Sequence, residues 1–482
     1  MTRLVVGPFN RVEGDLEVRI NCADGAVKSA EVVSPLYRGF ERILVGKPAL
    51  DALVYAPRIC GICSVSQSVA AARALSAAME ISAPRNGELA VNLVHATENI
   101  ADHLTHFYLF FMPDFARPVY NAESWFEDTA ERFTAIKGTS VETVLPARAQ
   151  FMHVLGVLAG KWPHTLSIQP GGSTRAVAPG ETARLTAILR AFRRFLERTL
   201  FGDHLERIVA LDSVQDLWSW AAEKAPHSSD FRRFLALSTE LDLATLGPST
   251  GNYLSFGGYC LDGTTLFRRG TWQDGKTGPF DPRAVTEDLT ASWYKTDGPE
   301  PPADGTTEPD ADKRSAYSWC KAPRLGGQVM ETGALARQLI DGHPLIRDLV
   351  SRNGGSVHTR VVARLLEIAR LVISMEQWVE ALEPGAPFIN HSPIPDKAQG
   401  IGLTEAARGS LGHWVSIEKG RISNYQIIAP TTWNFSPRDK DGVPGPLEQA
   451  LVGAPVREGE TDPVSVQHIV RSFDPCMVCT VH

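Results

Sequence analysis

Four cysteines stand in two short motifs at opposite ends of the chain, Arg58-Ile59-Cys60-Gly61-Ile62-Cys63 and Asp474-Pro475-Cys476-Met477-Val478-Cys479-Thr480-Val481-His482. Thiolates are soft ligands, and a Cys-x-x-Cys pair lets two sulfurs from one turn converge on a single soft or borderline metal. Two such pairs make a four-sulfur site. By ligand type alone, a structural zinc closed by all four thiolates is the commonest occupant. The stretch between the pairs is far longer than a small zinc module, so this site closes only when nearly the whole chain folds. The other three cysteines, Cys22, Cys260 and Cys320, read as small buried hydrophobes.

The chain that must bring these ends together has 482 residues, 43% of them hydrophobic, which is enough for a large core. Its formal charge of -7, with no basic cluster, disfavours nucleic acid and anionic membrane surfaces as partners. Seven cysteines in a chain this long are not a dense disulfide framework. Four of them in Cys-x-x-Cys pairs favour thiols kept reduced for metal, which points to the cytoplasm. The start, Met1-Thr2-Arg3-Leu4-Val5-Val6-Gly7-Pro8, lacks a signal-peptide core, and no stretch approaches the ~20 apolar residues of a membrane span. Export would need a signal carried by a partner.

Residues 14–35 alternate in the strand manner around an Asp24-Gly25 turn signal, which predicts a hairpin. Apolar residues recur every three or four positions from Asn86 to Phe111 and from Val361 to Leu382, predicting two long helices buried along one stripe, and a third helical region runs from about Glu181 to Val209. His103 and His106, three apart on the first of these, read as satisfied core residues. Gly, Pro, Asp and Thr dominate from about 270 to 326, predicting a long excursion over the surface. With no internal repeat and no clear linker, the expectation is one body over 1–482, mainly α with small β elements (α+β). Its parts are an N-terminal hairpin (about 1–45), a long-helix bundle core (about 50–250 and 330–400), the surface excursion and the metal motif at 474–482.

The two cysteine motifs resemble the metal-binding motifs of nickel-iron hydrogenase large subunits. The resemblance extends, in family order, through Asn10-Arg11-Val12-Glu13-Gly14, Arg38-Gly39-Phe40-Glu41, His103-Leu104-Thr105-His106-Phe107-Tyr108, Tyr317-Ser318-Trp319-Cys320-Lys321-Ala322-Pro323-Arg324, Arg408-Gly409-Ser410-Leu411-Gly412-His413-Trp414 and Pro430-Thr431-Thr432-Trp433-Asn434. It implies that family's fold and reversible cleavage of H2 into protons and electrons, and replaces zinc by nickel and iron. It also implies Cys60 and Cys476 as terminal nickel ligands and Cys63 and Cys479 as bridges to an iron bearing one CO and two cyanides. Glu13 matches the proton relay from Cys476. Asp102, Arg408 and Asp474 match a polar canopy over the metals, with Cys476 or Arg408 as first base. Thr431 matches a hydrogen-bond donor to a cyanide. Glu41, the backbone carbonyl of Ile427 and the ring of His482 match ligands of a Mg2+ (or Fe2+) ion. Without the resemblance, Glu13, Glu41, Asp102 and Arg408 would read as surface charges.

Three departures from the family pattern carry expectations. Gln67 replaces a histidine beside the cluster, Ala407 replaces a proline before the canopy arginine, and Ile62 and Phe110 are bulkier than the usual residues at the neck of the gas channel. Gln67, Ile62, Phe110 and an ending at His482 with no tail for a protease to remove resemble the regulatory, H2-sensing branch. That branch implies low turnover, insensitivity to oxygen and control of hydrogenase genes through a histidine kinase. The alternative is an energy-conserving uptake enzyme in mature, processed form. The chain has no spare cysteine clusters for electron transfer, so an iron-sulfur small subunit is the expected partner. A dimer of such heterodimers is a further expectation.

Overall fold

The computed structural model describes residues 2–482. Strand β1 (Thr2–Val6) lies antiparallel to β2 (Glu17–Ala23), which turns at Asp24-Gly25 into β3 (Ala26–Val33). Both turn residues have positive φ, 53° and 71°, the geometry that matches the twist of hairpin strands. Val18, Ile20, Val27 and Val32 are buried beneath this sheet. The alternating pattern shows the hairpin but not β1, a five-residue strand exposed over most of its length. The short helix α1 (Phe40–Leu44) follows and carries Glu41.

Helix α2 (Ser64–Ala78) begins directly after Cys63. Helix α3 (Arg85–Thr105) runs on into a turn of π-helix at His106–Phe111. The third helical region is interrupted: α4 (Pro179–Phe195) ends in a π turn, Leu196–Leu200, and the chain bends at Gly202 (φ 66°) before a last short turn at Leu205–Val209. Glycine takes that φ without strain.

The 270–326 segment is not a surface excursion throughout. It begins inside a meander of β4 (Tyr253–Leu261), β5 (Thr264–Gln273) and β6 (Lys276–Gly278). It then forms a small sheet in which β7 (Val285–Asp288) pairs with both β8 (Pro299–Glu300) and β9 (Ala322–Leu325). Glu287, Ser292, Tyr294, Ser318, Cys320 and Lys321 are buried. The Gly- and Pro-rich composition marks the turns correctly, but strand pairing and ion pairs formed by Lys321 draw the ends of the segment inward.

Helix α5 (Ala334–Asp341) leads to α6 (Val357–Glu380), whose N-terminus is closed by a reciprocal cap between Ser356 and Thr359. The single-stripe expectation fails for both long helices: 17 of 21 residues of α3 and 19 of 24 of α6 are buried. Arg360, Arg364 and Glu367 interrupt the apolar pattern of α6 yet lie inside. They are tolerated there because each meets a partner of opposite charge or a hydrogen-bonding group.

The antiparallel meander β10 (Lys397–Ala406), β11 (Gly409–Glu418) and β12 (Arg421–Ile428) packs across α2. Gly400 and Gly402 make this approach possible, since a Cβ at either would collide with the carbonyls of Ala74 and Ala70. Helix α7 (Pro430–Asn434), helix α8 (Val464–Ser472) and the single turn α9 (Met477–Thr480) complete the chain. The main apolar cluster runs continuously from Val18 and Ile20 through α2, α3 and α6 to Cys476 and Cys479. A smaller cluster of Leu254, Phe256, Met330, Trp414 and Trp433 lies beside it.

Candidate metal centre

Cys63 and Cys476 stand immediately before α2 and α9, so each Cys-x-x-Cys pair brackets a tight turn. The four ligand sulfurs lie within 4.8 Å of one another, all buried. Cys60 and Cys476 are 3.5 Å apart, Cys63 and Cys479 3.1 Å, and Cys476 and Cys479 3.2 Å. No disulfide forms among the described residues. Arg38 ties the two motifs together, donating to the carbonyls of Arg58 (3.3 Å), Ile59 and Val478 (3.1 Å). A second tie is a parallel bridge between Glu13 and Cys476, in which Glu13 N–H donates to the Pro475 carbonyl (3.4 Å) and Met477 N–H to the Glu13 carbonyl (2.7 Å). The Glu13 side chain is half-buried at this seam. Burial, and then the proximity of Cys60, raise its carboxyl above the usual range, against Arg408 and Arg38.

Arg408 sits in the two-residue turn between β10 and β11 and is 3% exposed. Its Nη1 is 2.8 Å from Asp102 on α3, its Nη2 donates to Asp102 and Asp474 at 3.1 Å each, and its Nε donates to the Asp474 carbonyl at 2.8 Å. Burial opposes the guanidinium charge, but the two carboxylates outweigh it and hold Arg408 firmly protonated. The carboxyls diverge: burial pushes Asp102 up to about 7, while Arg408 and Arg364 overcome burial and lower Asp474.

On the other side of the cluster, Gln67 Nε2 lies 3.9 Å from Cys479 Sγ, and its Oε1 is 2.8 Å from His413 Nε2. His413 Nδ1 in turn meets the Tyr425 hydroxyl at 2.7 Å. Because an amide oxygen only accepts, His413 carries its proton on Nε2 and Tyr425 donates to Nδ1. Burial pushes His413 down to about 3, so it is neutral. Thr431 Oγ1 accepts the Cys476 N–H at 3.1 Å, leaving its own O–H free to donate. Ala407 is buried, with its carbonyl held by Arg337 at 3.0 Å. Ile62 is half-buried against the core. Phe110 is half-buried on the π turn, where its carbonyl accepts from Arg11 (2.8 Å).

Glu41 and His482 meet at 3.2 Å (Oε1 to Nε2). Glu41 also accepts from the Ile427 N–H (2.8 Å), from Lys321 Nζ (2.9 Å) and from the Thr307 hydroxyl. Within a strand a residue's N–H and C=O face the same edge, so the Ile427 carbonyl faces the edge that Glu41 occupies. Burial works to raise the Glu41 carboxyl, and Lys321 and His482 outweigh it and hold it at about 2. Glu287, 3.3 Å from Lys321, is pushed up to about 7 by burial and by the charge of Glu41.

A family model described as nickel-dependent hydrogenase matches residues 38–140 and 138–482. The chain belongs to the nickel-dependent hydrogenase family. It is 29% identical over 516 residues to the periplasmic [NiFeSe] hydrogenase large subunit of Desulfomicrobium baculatum, covering all of this chain and 95% of that protein. It is 27% identical over 591 residues to the uptake hydrogenase large subunit of Rhodobacter capsulatus, with the same coverage. Among solved structures, the H2-activated D. baculatum [NiFeSe] hydrogenase superimposes with a TM-score of 0.85 at 28% identity, covering both chains completely. The mixed helix and strand architecture is thus that of the hydrogenase large subunit.

In this hydrogenase the donor sets suit the metals the family implies. Four buried thiolates, with three of their separations at 3.1–3.5 Å, form a compact all-sulfur set that suits a soft or borderline metal such as nickel. At the second cluster, His482 Nδ1 donates to the Cys479 carbonyl (2.6 Å), which leaves Nε2 to face the Glu41 carboxylate. Across Lys321 from Glu41, Glu287 Oε1 is buried without a partner. A small divalent cation fits the 3.2 Å separation of Glu41 and His482, since two ligands at about 2.1 Å on an octahedron stand about 3 Å apart.

Residues that the sequence reading left without a role complete both clusters. Arg38, Lys321 and His413 lie within motifs matched as strings, whereas Tyr425, Glu287, Arg337, Arg364 and Glu367 gain meaning only from where they pack. The sole signal for Arg364 and Glu367 was ionisable residues inside an apolar helical period.

Proposed function

We propose that this hydrogenase large subunit cleaves H2 reversibly into two protons and two electrons at a nickel-iron centre held by Cys60, Cys63, Cys476 and Cys479. The observation that carries the reading is a buried four-thiolate cluster with a fixed guanidinium on one side and a half-buried carboxyl at its edge. By the family resemblance, Cys60 and Cys476 would be terminal nickel ligands and Cys63 and Cys479 would be shared between nickel and iron. When bound, the metal pair, with CO and two cyanides on iron, supplies the Lewis-acidic centre at which H2 is polarised and its electrons are collected.

The protein's part is to orient, exclude water and move protons. Arg408 is locked between Asp102 and Asp474, so its position needs no reorganisation during turnover. The Cys476 sulfur takes the first proton, since Asp102 and Asp474 hold Arg408 protonated, and Glu13, joined to Cys476 by the backbone bridge, passes it outward. Thr431 donates to a cyanide, and Ala407 lies beside it. Glu41, the Ile427 carbonyl and His482 hold Mg2+ (or Fe2+) and fix the segment behind Cys479. Electrons leave to a small subunit bearing iron-sulfur clusters, and two such heterodimers assemble in the cytoplasm. No helix among the described residues is long and apolar enough to cross a membrane.

The physiological reading is an H2 sensor of the regulatory branch, slow and insensitive to oxygen, that signals to a histidine kinase. It rests on Gln67 beside Cys479 and on the bulk of Ile62 and Phe110. The second reading, an uptake enzyme, is favoured by relatives that bear that name. Infrared spectroscopy of the purified complex tests the chemistry: sharp CO and cyanide stretching bands are expected, and their absence would exclude the proposed centre. Deleting the gene separates the roles, since a sensor's loss abolishes H2-dependent transcription of hydrogenase genes and an uptake enzyme's loss abolishes growth on H2 with transcription intact.

A further inference from the structure

The turn that carries Arg408 is held from outside. β10 ends at Ala406 and β11 begins at Gly409, leaving Ala407 and Arg408 as a two-residue hairpin loop. Such loops normally have positive φ at one or both central residues, which matches strand twist. Neither Ala407 nor Arg408 has positive φ. Gly409 takes φ 130° instead, with no room for a Cβ against Thr332 and Gly333. A turn without the favoured geometry needs external contacts to fix its tip.

Those contacts come from Arg337 on α5, a side chain with no solvent exposure. Its Nη1 donates to the Ala406 carbonyl and to Glu405 Oε2, and its Nη2 to the Ala407 carbonyl, each at 3.0 Å. Its Nε and Nη2 grip Glu367 at 2.6 and 2.7 Å. All five N–H groups of the guanidinium are therefore used. Glu367 continues the chain of contacts to His103 Nε2 (3.1 Å), whose Nδ1 meets Arg364 Nη1 (3.4 Å). The same Arg364 nitrogen reaches Asp474 at 3.2 Å, and Arg364 Nη2 holds the Phe473 carbonyl at 3.2 Å. Asp474 holds Arg408, which closes a buried ring. The two sides of the canopy, one in the β10–β11 turn and one before Cys476, are thus referred to a single pair of helices, α5 and α6.

We infer that Arg337 is a positioning residue for hydrogen cleavage: by holding two successive carbonyls before Arg408 it sets where that guanidinium stands relative to the cysteine cluster. This rests on Arg408 acting at the metal centre, as proposed above. Lysine keeps the charge but offers three donors from one nitrogen, so it cannot hold Glu367, Glu405 and both carbonyls at once. In the assembled, metal-loaded complex, Arg337→Lys is expected to keep nickel and iron content, to lower turnover roughly ten- to hundredfold, and to shift the CO and cyanide bands in the direction produced by Arg408→Lys. Wild-type turnover and unshifted bands in Arg337→Lys, with Arg408→Lys impaired, would overturn the inference alone. A fully active Arg408→Lys would remove the reading beneath it. Should Arg337→Lys fail to fold, the pair Arg337→Gln with Glu367→Gln removes one charge of each sign and is read by the same criteria.

Discussion

The two flanks of the cysteine cluster are built from different chemistry. Beside Cys60 and Cys476 stands Glu13, a half-buried carboxyl at a seam between the N-terminal segment and the final motif. Beside Cys63 and Cys479 stand Gln67, His413 and Tyr425, all buried and joined in one line of hydrogen bonds that ends on sulfur. The first flank carries a carboxyl that burial raises above its ordinary range and that can gain and lose a proton. The second cannot: an amide does not titrate, and burial keeps the imidazole neutral down to about pH 3. Proximity to the cluster is therefore not enough for a proton route; the group must also be ionisable and have a way to water.

The largest expected effect comes from the titratable flank. Glu13→Gln should lower turnover and H/D exchange by ~100-fold or more while leaving the infrared bands in place. Retained activity would break the comparison, because protons would then have to leave elsewhere. Next in size is the gas route, which the comparison keeps separate from the proton route. Ile62→Val with Phe110→Leu should make activity more sensitive to oxygen without changing H/D exchange, measured as inactivation kinetics under O2. Unchanged inactivation would count against a channel role for either side chain.

Smaller effects are expected on the dry flank. Gln67→Leu leaves the His413 N–H unsatisfied and should cost about 1–3 kcal/mol of stability, read from denaturant unfolding, with turnover changed only a fewfold. A loss as large as that of Glu13→Gln would show that this flank does more than donate to Cys479.

The smallest effect on turnover comes from His413, which acts through a pH dependence of stability. His413 is held at about 3 when folded, against about 6.5 unfolded. Between these values the unfolded chain binds the extra proton, so this contribution is complete above about pH 6.5 and is lost as pH falls toward 3. His413→Gln should therefore flatten the acid limb of the stability curve by at most about 1.4 kcal/mol per pH unit in that window. An identical slope in both proteins would mean that His413 is charged in the fold.

Much of the fold was legible where a local period decides it. The helices α3 and α6 and the Asp24-Gly25 hairpin follow from spacing and turn chemistry. The β10–β12 meander was not legible, because β11 and the second half of β10 are buried on both faces and do not alternate in the half-exposed manner. The segment from 270 to 326 misled because turn-rich composition reports local breaks and says nothing of what β7 and β9 pair with. At the site, Cys60, Cys63, Cys476 and Cys479 were visible as motifs, and Glu13, Arg408 and His482 through the ordered resemblance. Arg337 and Glu367 were not, since a charged residue within an apolar helix is silent until its partner is known.

By itself the sequence determined the ligand types, their pairing in two Cys-x-x-Cys motifs and the order of the surrounding signatures, because those are properties of neighbouring residues. Tertiary structure alone decided that the two motifs meet within 4.8 Å, that one flank is ionisable and the other is not, and that Arg408 is held through carbonyls gripped by Arg337. These depend on groups hundreds of residues apart being buried together, where a missing partner is costly and a satisfied one fixes position.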